Sequence, residues 1–233
     1  MWVGIGKNDP DGPVVAVFHY DHSRTGNAAL QFLKGSHSGD ILMIDACDSC
    51  NKPVRKYSLV VLNCMAHARR KFKEALDTGY KRDYCRTVLR KIGQLYRLER
   101  FSDKVNADSE KRYQLRQRYS RKILDEIKDL LTNPGFPVLP SRKVGEAINY
   151  MLNHWEPLTR FTENGLYPID NNPVERIIPP LATGRKNRMR RPGRSGVPCI
   201  IRFLPPVSST ALIRKSILKM CSCGWPFART MQM

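Results

Sequence analysis

The chain has 233 residues, enough to bury a substantial core in one large domain or two small ones. Forty lysines and arginines against 21 acidic residues give a net charge of +19, which favours a polyanionic partner, most often nucleic acid. No apolar run approaches the roughly 20 residues that span a bilayer, and the N-terminal sequence is not that of a signal peptide. We therefore expect a cytoplasmic protein without a membrane partner, whose seven cysteines are thiols.

The first 83 residues predict strands that alternate with helices. Val14–Tyr20 is an apolar, β-branched run typical of a buried strand, and Asn27–Lys34 predicts a short helix. Two more buried strands are predicted at Ile41–Ile44 and Ser58–Cys64, and the first of them carries Asp45 at its carboxyl end. This alternation indicates an α/β sheet, in which ligands gather at the carboxyl ends of strands.

A basic helix, Ala66–Asp77, is predicted after the third strand. It carries His67, Arg69 and Arg70 on a face that could contact DNA phosphates, although such a face is more often simply solvated. For His67, a packed core position is an equally good interpretation.

Residues 84–165 predict an all-α insertion. Tyr84–Asn133 has the periodicity of two antiparallel helices, which the charged stretch Ser102–Lys111 would join. A third helix is predicted to begin near Ser141, which would be its N-cap.

Residues 166–187 contain a short predicted helix with an acidic residue in its first turn. Asn172 is a good N-cap, Pro173 is favoured at the first helical position, and Glu175 follows at the third. Glu175 could be an acidic metal ligand or half of a capping box, which would need no chemistry. The sequence alone leaves both interpretations open.

Two sets of candidate metal ligands follow from these elements. Asp45 and Glu175, if they meet, could hold a pair of divalent cations for phosphoryl transfer. The alternative is a structural zinc site. Two observations argue against it, because two of its cysteines flank strands rather than tight turns and buried cysteines often behave as small apolar residues. The residues of that alternative site are Cys47, Cys50, Cys64 and His67.

The charge is unevenly distributed along the chain. Residues 188–233 contain nine lysines and arginines and no acidic residue, whereas the remainder carries 31 basic and 21 acidic residues, or +10. A break this sharp at residue 188 demands an explanation.

The order of these motifs resembles the insertion-sequence-66 family of bacterial transposases. From Trp2 to Asn187, the resemblance rests on FHYDHSRTG, ILMID, NCMAHARRKFKEAL, LPSRKVGEAINYMLNHW and LYPIDNNPVERIIPPLATGRKN. It implies an RNase H-like fold with an Asp-Asp-Glu triad and a helical insertion. It also implies metal-dependent cleavage and transfer of DNA strands with Mg²⁺ or Mn²⁺.

The resemblance assigns roles to individual residues. Asp45 is implied to be the second acid and Glu175 the third, and both would bind metal. The implied partners are transposon ends and target DNA, together with self-association. The implied DNA-contacting residues are His67, Arg69, Arg70, Arg176, Arg185, Lys186 and Asn187.

Three departures from the family pattern modify these expectations. The strand that carries the first acid should precede Trp2, so we expect an incomplete RNase H-like domain, a split sheet with unpaired edges, and no catalysis by this chain alone. Cys47 and Cys50 stand where the family has tyrosines, which argues further against zinc. The resemblance ends after Asn187, where a helical ending should follow.

A frameshift near Arg188 would explain that ending. When codons from Val197 to Ser222 are read in a shifted frame, the permitted translations include a family-like helical sequence, and Met220-Cys221 forces a valine in it. We therefore expect residues 188–233 to be an irregular, out-of-frame tail. The alternatives to a transposase remnant are a non-catalytic basic DNA-binding protein and a small zinc-stabilised module.

Overall fold

The described residues of the computed structural model are 2–7, 14–19, 25–45, 50–172 and 219–221, and side chains are described for 25–45 and 50–172. The chain divides into two compact units, Met1–Val61 with Asn171–Met233, and Leu62–Asp170. Within the described residues, no helix combines the length and the apolar character needed to cross a bilayer.

Five strands form one mixed sheet. They are β1 (Trp2–Lys7), β2 (Val14–His19), β3 (Ile41–Ile44), β4 (Val60–Asn63) and β5 (Lys219–Cys221). Their order across the sheet is β2-β1-β5-β3-β4. β1 pairs antiparallel with β2 and with β5, whereas β5 pairs parallel with β3. The three predicted strands are confirmed, β1 and β5 are additional, and the helices described below complete the predicted α/β class.

The sheet is continuous where the sequence predicts a gap. β5 lies between β1 and β3, with Met220 opposite Val3 on one side and opposite Met43 on the other. The expectation of a split sheet is therefore wrong for the described strands. The prediction that residues 188–233 are irregular is wrong for Lys219–Cys221, which form β5. The physical reason is that two facing strand edges carry unpaired N–H and C=O groups, which the backbone of another strand can satisfy.

An apolar cluster covers β3 in the first unit. It receives side chains from α1 (Gly26–Phe32), close to its predicted bounds, and from α2 (Asn51–Tyr57), which the sequence did not predict. α2 begins directly after Cys50, which is fully buried in the cluster. The buried members of the cluster are Ala28, Ala29, Leu33, Leu42, Ile44, Cys50 and Leu59.

The second unit is helical. Its largest buried side chains are apolar and are contributed by nearly every helix, so one core holds the helices together. α3 packs against α4 and α7, and α4 also packs against α6. The helices are α3 (Met65–Asp77), α4 (Arg82–Lys104), α5 (Ser109–Leu115), α6 (Arg121–Thr132), α7 (Lys143–Asn153) and α8 (Trp155–Thr159), followed by a 3₁₀ turn (Arg160–Glu163).

The prediction that Ser141 caps the third helix of the insertion is wrong. The N-cap of α7 is Arg142, and its side chain makes no capping hydrogen bond. Instead, the Arg142 N–H donates to the Leu139 carbonyl oxygen at 3.0 Å. The same oxygen lies only 2.1 Å from where a Cβ on Gly145 would be, so the preceding chain folds closely over the first turn of α7. Backbone packing, rather than a polar cap, therefore sets where the helix begins.

A π turn, Arg116–Ser120, joins α5 to α6 in one continuous helix. Arg112, Arg116, Ser120 and Leu124 follow each other at four-residue intervals, and the last three are buried. In an α-helix four residues rotate by about 400°, so three such steps would drift by about 120° around the axis. The wider π turn absorbs this drift and keeps these side chains facing α4.

A buried ion network links this helix to α4. Glu99 is 7% exposed and Arg116 is 2% exposed. The Arg116 guanidinium donates to both Glu99 carboxylate oxygens at 2.9 and 2.7 Å, and also to the carbonyl oxygens of Phe161 and Asn164 at 2.7 and 2.6 Å. Arg112 donates to the same carboxylate at 3.0 Å. The network therefore joins α4, the π turn and the 3₁₀ turn.

Candidate functional site

Asp45 follows the last residue of β3 in the first unit. It is half-buried, and the preceding residue, Ile44, pairs with Cys221 of the parallel strand β5. The aspartate therefore lies at the carboxyl edge of a parallel strand pair, which is where α/β sheets place their ligands. This agrees with the position predicted from the sequence.

The predicted partner acid lies outside the described residues, and so do the predicted DNA contacts that follow it. The described range 50–172 ends at Asn172, one residue before the predicted first helical position. Among the residues that the structure describes, no three His, Cys, Asp or Glu side chains lie together as a metal site. The residues concerned are Glu175, Arg176, Arg185, Lys186 and Asn187.

α3 presents the basic residues of the HARRKF motif to solvent. Arg69 and Arg70 are exposed, whereas Ala68 and Phe72 of the same helix are fully buried. His67 is half-buried, between these extremes. The motif is thus a helix with an apolar inner side and a cationic outer side, which suits contact with a phosphate backbone.

The start of α3 is bonded to the segment that carries the IDNN motif. The Met65 N–H, in the first turn of α3, donates to the Ile169 carbonyl oxygen at 3.1 Å. Ile169 and Asp170 are both 8% exposed. This hydrogen bond uses one of the N–H groups that the first turn of a helix leaves without an intrahelical acceptor. It brings together two motifs that are about a hundred residues apart in the sequence.

Tyr96 of α4 lies beside Asp170 in the same unit. Burial raises the pKa of the Tyr96 phenol, and the nearby negative charge of Asp170 raises it further. A hydrogen bond to the Asp170 carboxylate also raises this pKa, because it favours the protonated phenol. The phenol therefore stays protonated and neutral beside the carboxylate.

Of the cysteines of the alternative zinc site, the structure describes Cys50 and Cys64. Cys50 belongs to the apolar cluster of the first unit, and Cys64 is the buried N-cap residue of α3 in the second. Cys47 lies outside the described residues. Cys50, Cys64 and Cys85 are thiols, as predicted. Burial also raises the pKa of Cys85, so this thiol is held in its neutral form.

The sequence alone did not predict that the side chains of Tyr96 and Asp170 interact. Tyr96 lies within the helical periodicity of Tyr84–Asn133, which predicts no polar partner, and Asp170 lies in the IDNN motif. They are 74 residues apart, and no local pattern connects them. The one available signal is that an aspartate stands directly before two asparagines in a motif that recurs in the resembling family.

Comparison with known proteins identifies the family. A profile described as the Transposase IS66 family matches residues 1–192. No solved structure matches the chain significantly.

Three relatives from Sinorhizobium fredii (strain NBRC 101917 / NGR234) match as well. Uncharacterized protein y4hP is 29% identical over 206 residues, and uncharacterized protein y4qI is 29% identical over 200 residues. These matches cover 80% and 81% of this chain but only 36% of each relative, so the chain spans about a third of their length. Uncharacterized protein y4jD is 31% identical over 127 residues, which is 54% of this chain and 24% of that relative. With a basic α3, an acid at the edge of β3 and a family profile over most of its residues, the chain belongs to the IS66 family of transposases.

Proposed function

We propose that this chain is part of the catalytic region of a DNA transposase of the Asp-Asp-Glu type, with an RNase H-like sheet. Asp45 and Glu175 are two of its three catalytic acids. Its substrates are transposon ends and target DNA, in the cytoplasm. The observation that carries this proposal is the position of Asp45 directly after the carboxyl end of β3, in a chain of the IS66 family.

Divalent metal binding fits the donors that these residues offer. Asp45 is half-buried directly after β3. Carboxylate oxygens are the ligands that Mg²⁺ and Mn²⁺ prefer. A bound metal would activate water or a 3′-hydroxyl and stabilise the leaving oxygen. Asp45 and Glu175 would hold the metal. Arg69 and Arg70 would contact the phosphates of the DNA and orient its backbone.

We expect the purified chain to bind Mn²⁺ weakly through Asp45 and Glu175, and not to nick supercoiled plasmid DNA. Only two of the three acids are identified in these residues, and two carboxylates leave most of a metal's coordination to water. Metal binding is measured from the paramagnetic resonance signal of free Mn²⁺, and nicking from the plasmid topology.

The Asp45→Asn and Glu175→Gln variants should each abolish Mn²⁺ binding, whereas Glu163→Gln, at an exposed glutamate of the helical unit, should not. Equal Mn²⁺ binding by all four proteins would refute the assignment of these ligands. Nicking that requires metal and disappears in Glu175→Gln alone would refute the expected inactivity.

Duplex DNA binding should depend on the exposed arginines of α3. In the double variant Arg69→Ala/Arg70→Ala, the slope of log affinity against log salt should fall by roughly 1.8, because two phosphate contacts are lost. Fluorescence anisotropy with a labelled duplex measures this slope.

The matched control is Lys52→Ala/Arg55→Ala, which removes two exposed cations from α2. An equal reduction of the slope in both variants would show that net charge, and not the α3 surface, determines binding.

We also propose that residues 188–233 are translated out of frame, after a frameshift near Arg188. The test is the nucleotide sequence of the gene, in which a shifted frame after about codon 188 should encode a family-like helical ending. A shifted frame interrupted by stop codons would refute it.

A further inference from the structure

A groove of about 450 Å³ lies between α4 and the helix formed by the π turn and α6. None of its lining residues belongs to α3 or to the segment that begins at Ile169. It therefore shares no residue with the α3 surface that we propose to bind duplex DNA. The lining residues are Lys91, Gln94, Arg97, Leu98, Tyr119, Lys122, Ile123 and Glu126.

The groove carries excess positive charge. Three cations and one carboxylate line it, and the carboxylate of Glu126 is paired with Lys91. Arg97 and Lys122 are exposed, and neither forms an ion pair within the part of the chain that the structure describes. Two cations at the groove are thus available to an anionic ligand without breaking an existing ion pair.

The groove also contains an exposed aromatic side chain. Tyr119 is 42% exposed, and the Arg118 guanidinium lies over its ring at 5.4 Å from the centroid. Tyr119 belongs to the π turn, and π turns within α-helices are frequent at functional sites. The floor between the cations is apolar, because Leu98 and Ile123 form part of it.

We propose that this groove binds single-stranded DNA, a conclusion that rests on the proposed function and adds a second nucleic-acid site to it. A cationic groove with exposed aromatic rings is how proteins bind single strands, because the cations contact phosphates and unstacked bases stack on the rings. In a duplex, the bases are already stacked on each other and cannot reach Tyr119. An acidic protein segment would pair with the cations but would have no need of the exposed ring.

The experiment measures binding of a fluorescent oligothymidine by anisotropy. We expect Tyr119→Leu to weaken binding by about tenfold, because a stacked base is lost, and Tyr119→Phe to retain it. In Arg97→Ala/Lys122→Ala, the slope of log affinity against log salt should fall by roughly 1.4, the value for two phosphates of a single strand. The matched control is Arg100→Ala/Arg121→Ala, which removes two exposed cations from the same helices outside the groove and should change this slope little.

Several outcomes would overturn the inference. One is an equal fall of the salt slope in Arg97→Ala/Lys122→Ala and in its control. Another is an equal affinity of Tyr119→Leu and Tyr119→Phe for oligothymidine when circular dichroism shows that both are folded. A third is competition by polyglutamate as effective as that by unlabelled oligothymidine, which would identify an acidic protein as the ligand.

The same proteins tested on a duplex separate this inference from the proposed function. Duplex binding that depends on Arg69 and Arg70, without any binding of oligothymidine, would overturn the groove proposal alone. Absence of binding to both DNAs would overturn the DNA-binding part of the proposed function as well.

Discussion

Replacement of Arg116 by methionine is expected to lower the free energy of unfolding by about 3–5 kcal/mol, because it leaves the Glu99 carboxylate buried with too little compensation. Glu99 would keep only its bond from Arg112, and the carbonyl oxygens of Phe161 and Asn164 would lose their donor. Urea unfolding followed by far-ultraviolet circular dichroism measures the change, since most of the helices lie in this unit.

The control for this substitution is Arg118→Met in the same π turn, where the exposed side chain should change stability by less than about 0.5 kcal/mol. The double variant Glu99→Leu/Arg116→Met should recover most of the loss, because replacing a buried ion pair by apolar side chains is often neutral. A loss below about 1 kcal/mol in Arg116→Met would mean that the network contributes little to stability.

Replacement of Phe72 by alanine is expected to cost about 3–5 kcal/mol, the usual range for a large aromatic side chain deleted from a core. Phe72 is fully buried on α3, which packs against α4 and α7. It belongs to the same HARRKF motif as the exposed Arg69 and Arg70. The motif should therefore separate into a residue that stabilises the fold and residues that bind DNA.

Lys73→Ala, at the exposed position next to Phe72, is the control and should leave the free energy of unfolding within about 0.5 kcal/mol of the wild type. If Phe72→Ala kept full stability but lost duplex affinity, the side chain would be a DNA contact, contrary to its burial. Both quantities are measured on the same protein preparations.

Local periodicity was sufficient to predict several elements. The strand at Ile41–Ile44 has the predicted bounds, and the basic helix differs from α3 by one residue at its start. β3 is a continuous apolar run, and the apolar residues of α3 recur at the helical period, so in each case the signal is contained within a short window. The order of the motifs then predicted the family, which the profile match confirms.

Contacts between distant residues could not be predicted in this way. Glu99 and Arg116 are 17 residues apart, and each reads as an ordinary charged position on a helix surface until α4 and the π turn are packed together. β5 is a stronger case, because no feature of Lys219–Cys221 distinguishes it from the rest of a basic segment. Its position depends on two strand edges that are more than 170 residues away in the sequence.

The candidate site was predicted in part. The carboxyl end of β3 follows from the strand pattern, so Asp45 was predicted at its observed position, whereas the role of Glu175 stays a prediction. The groove residues could not be recognised, because Arg97 and Lys122 come from different helices. Their proximity depends on how those two helices pack.

The π turn gives its helix room for one residue more than a regular α-helix of the same span would hold. Deleting one residue from Arg116–Ser120 would allow regular α-helical hydrogen bonding from Ser109 to Thr132, which local helix propensity favours. Eleven α-helical steps of about 100° leave a rotation of only about 20°, so Arg112 would still face nearly the same way as Leu124 and stay near Glu99. The turn therefore accommodates an inserted residue while the two flanking helices keep the sides that face their neighbours.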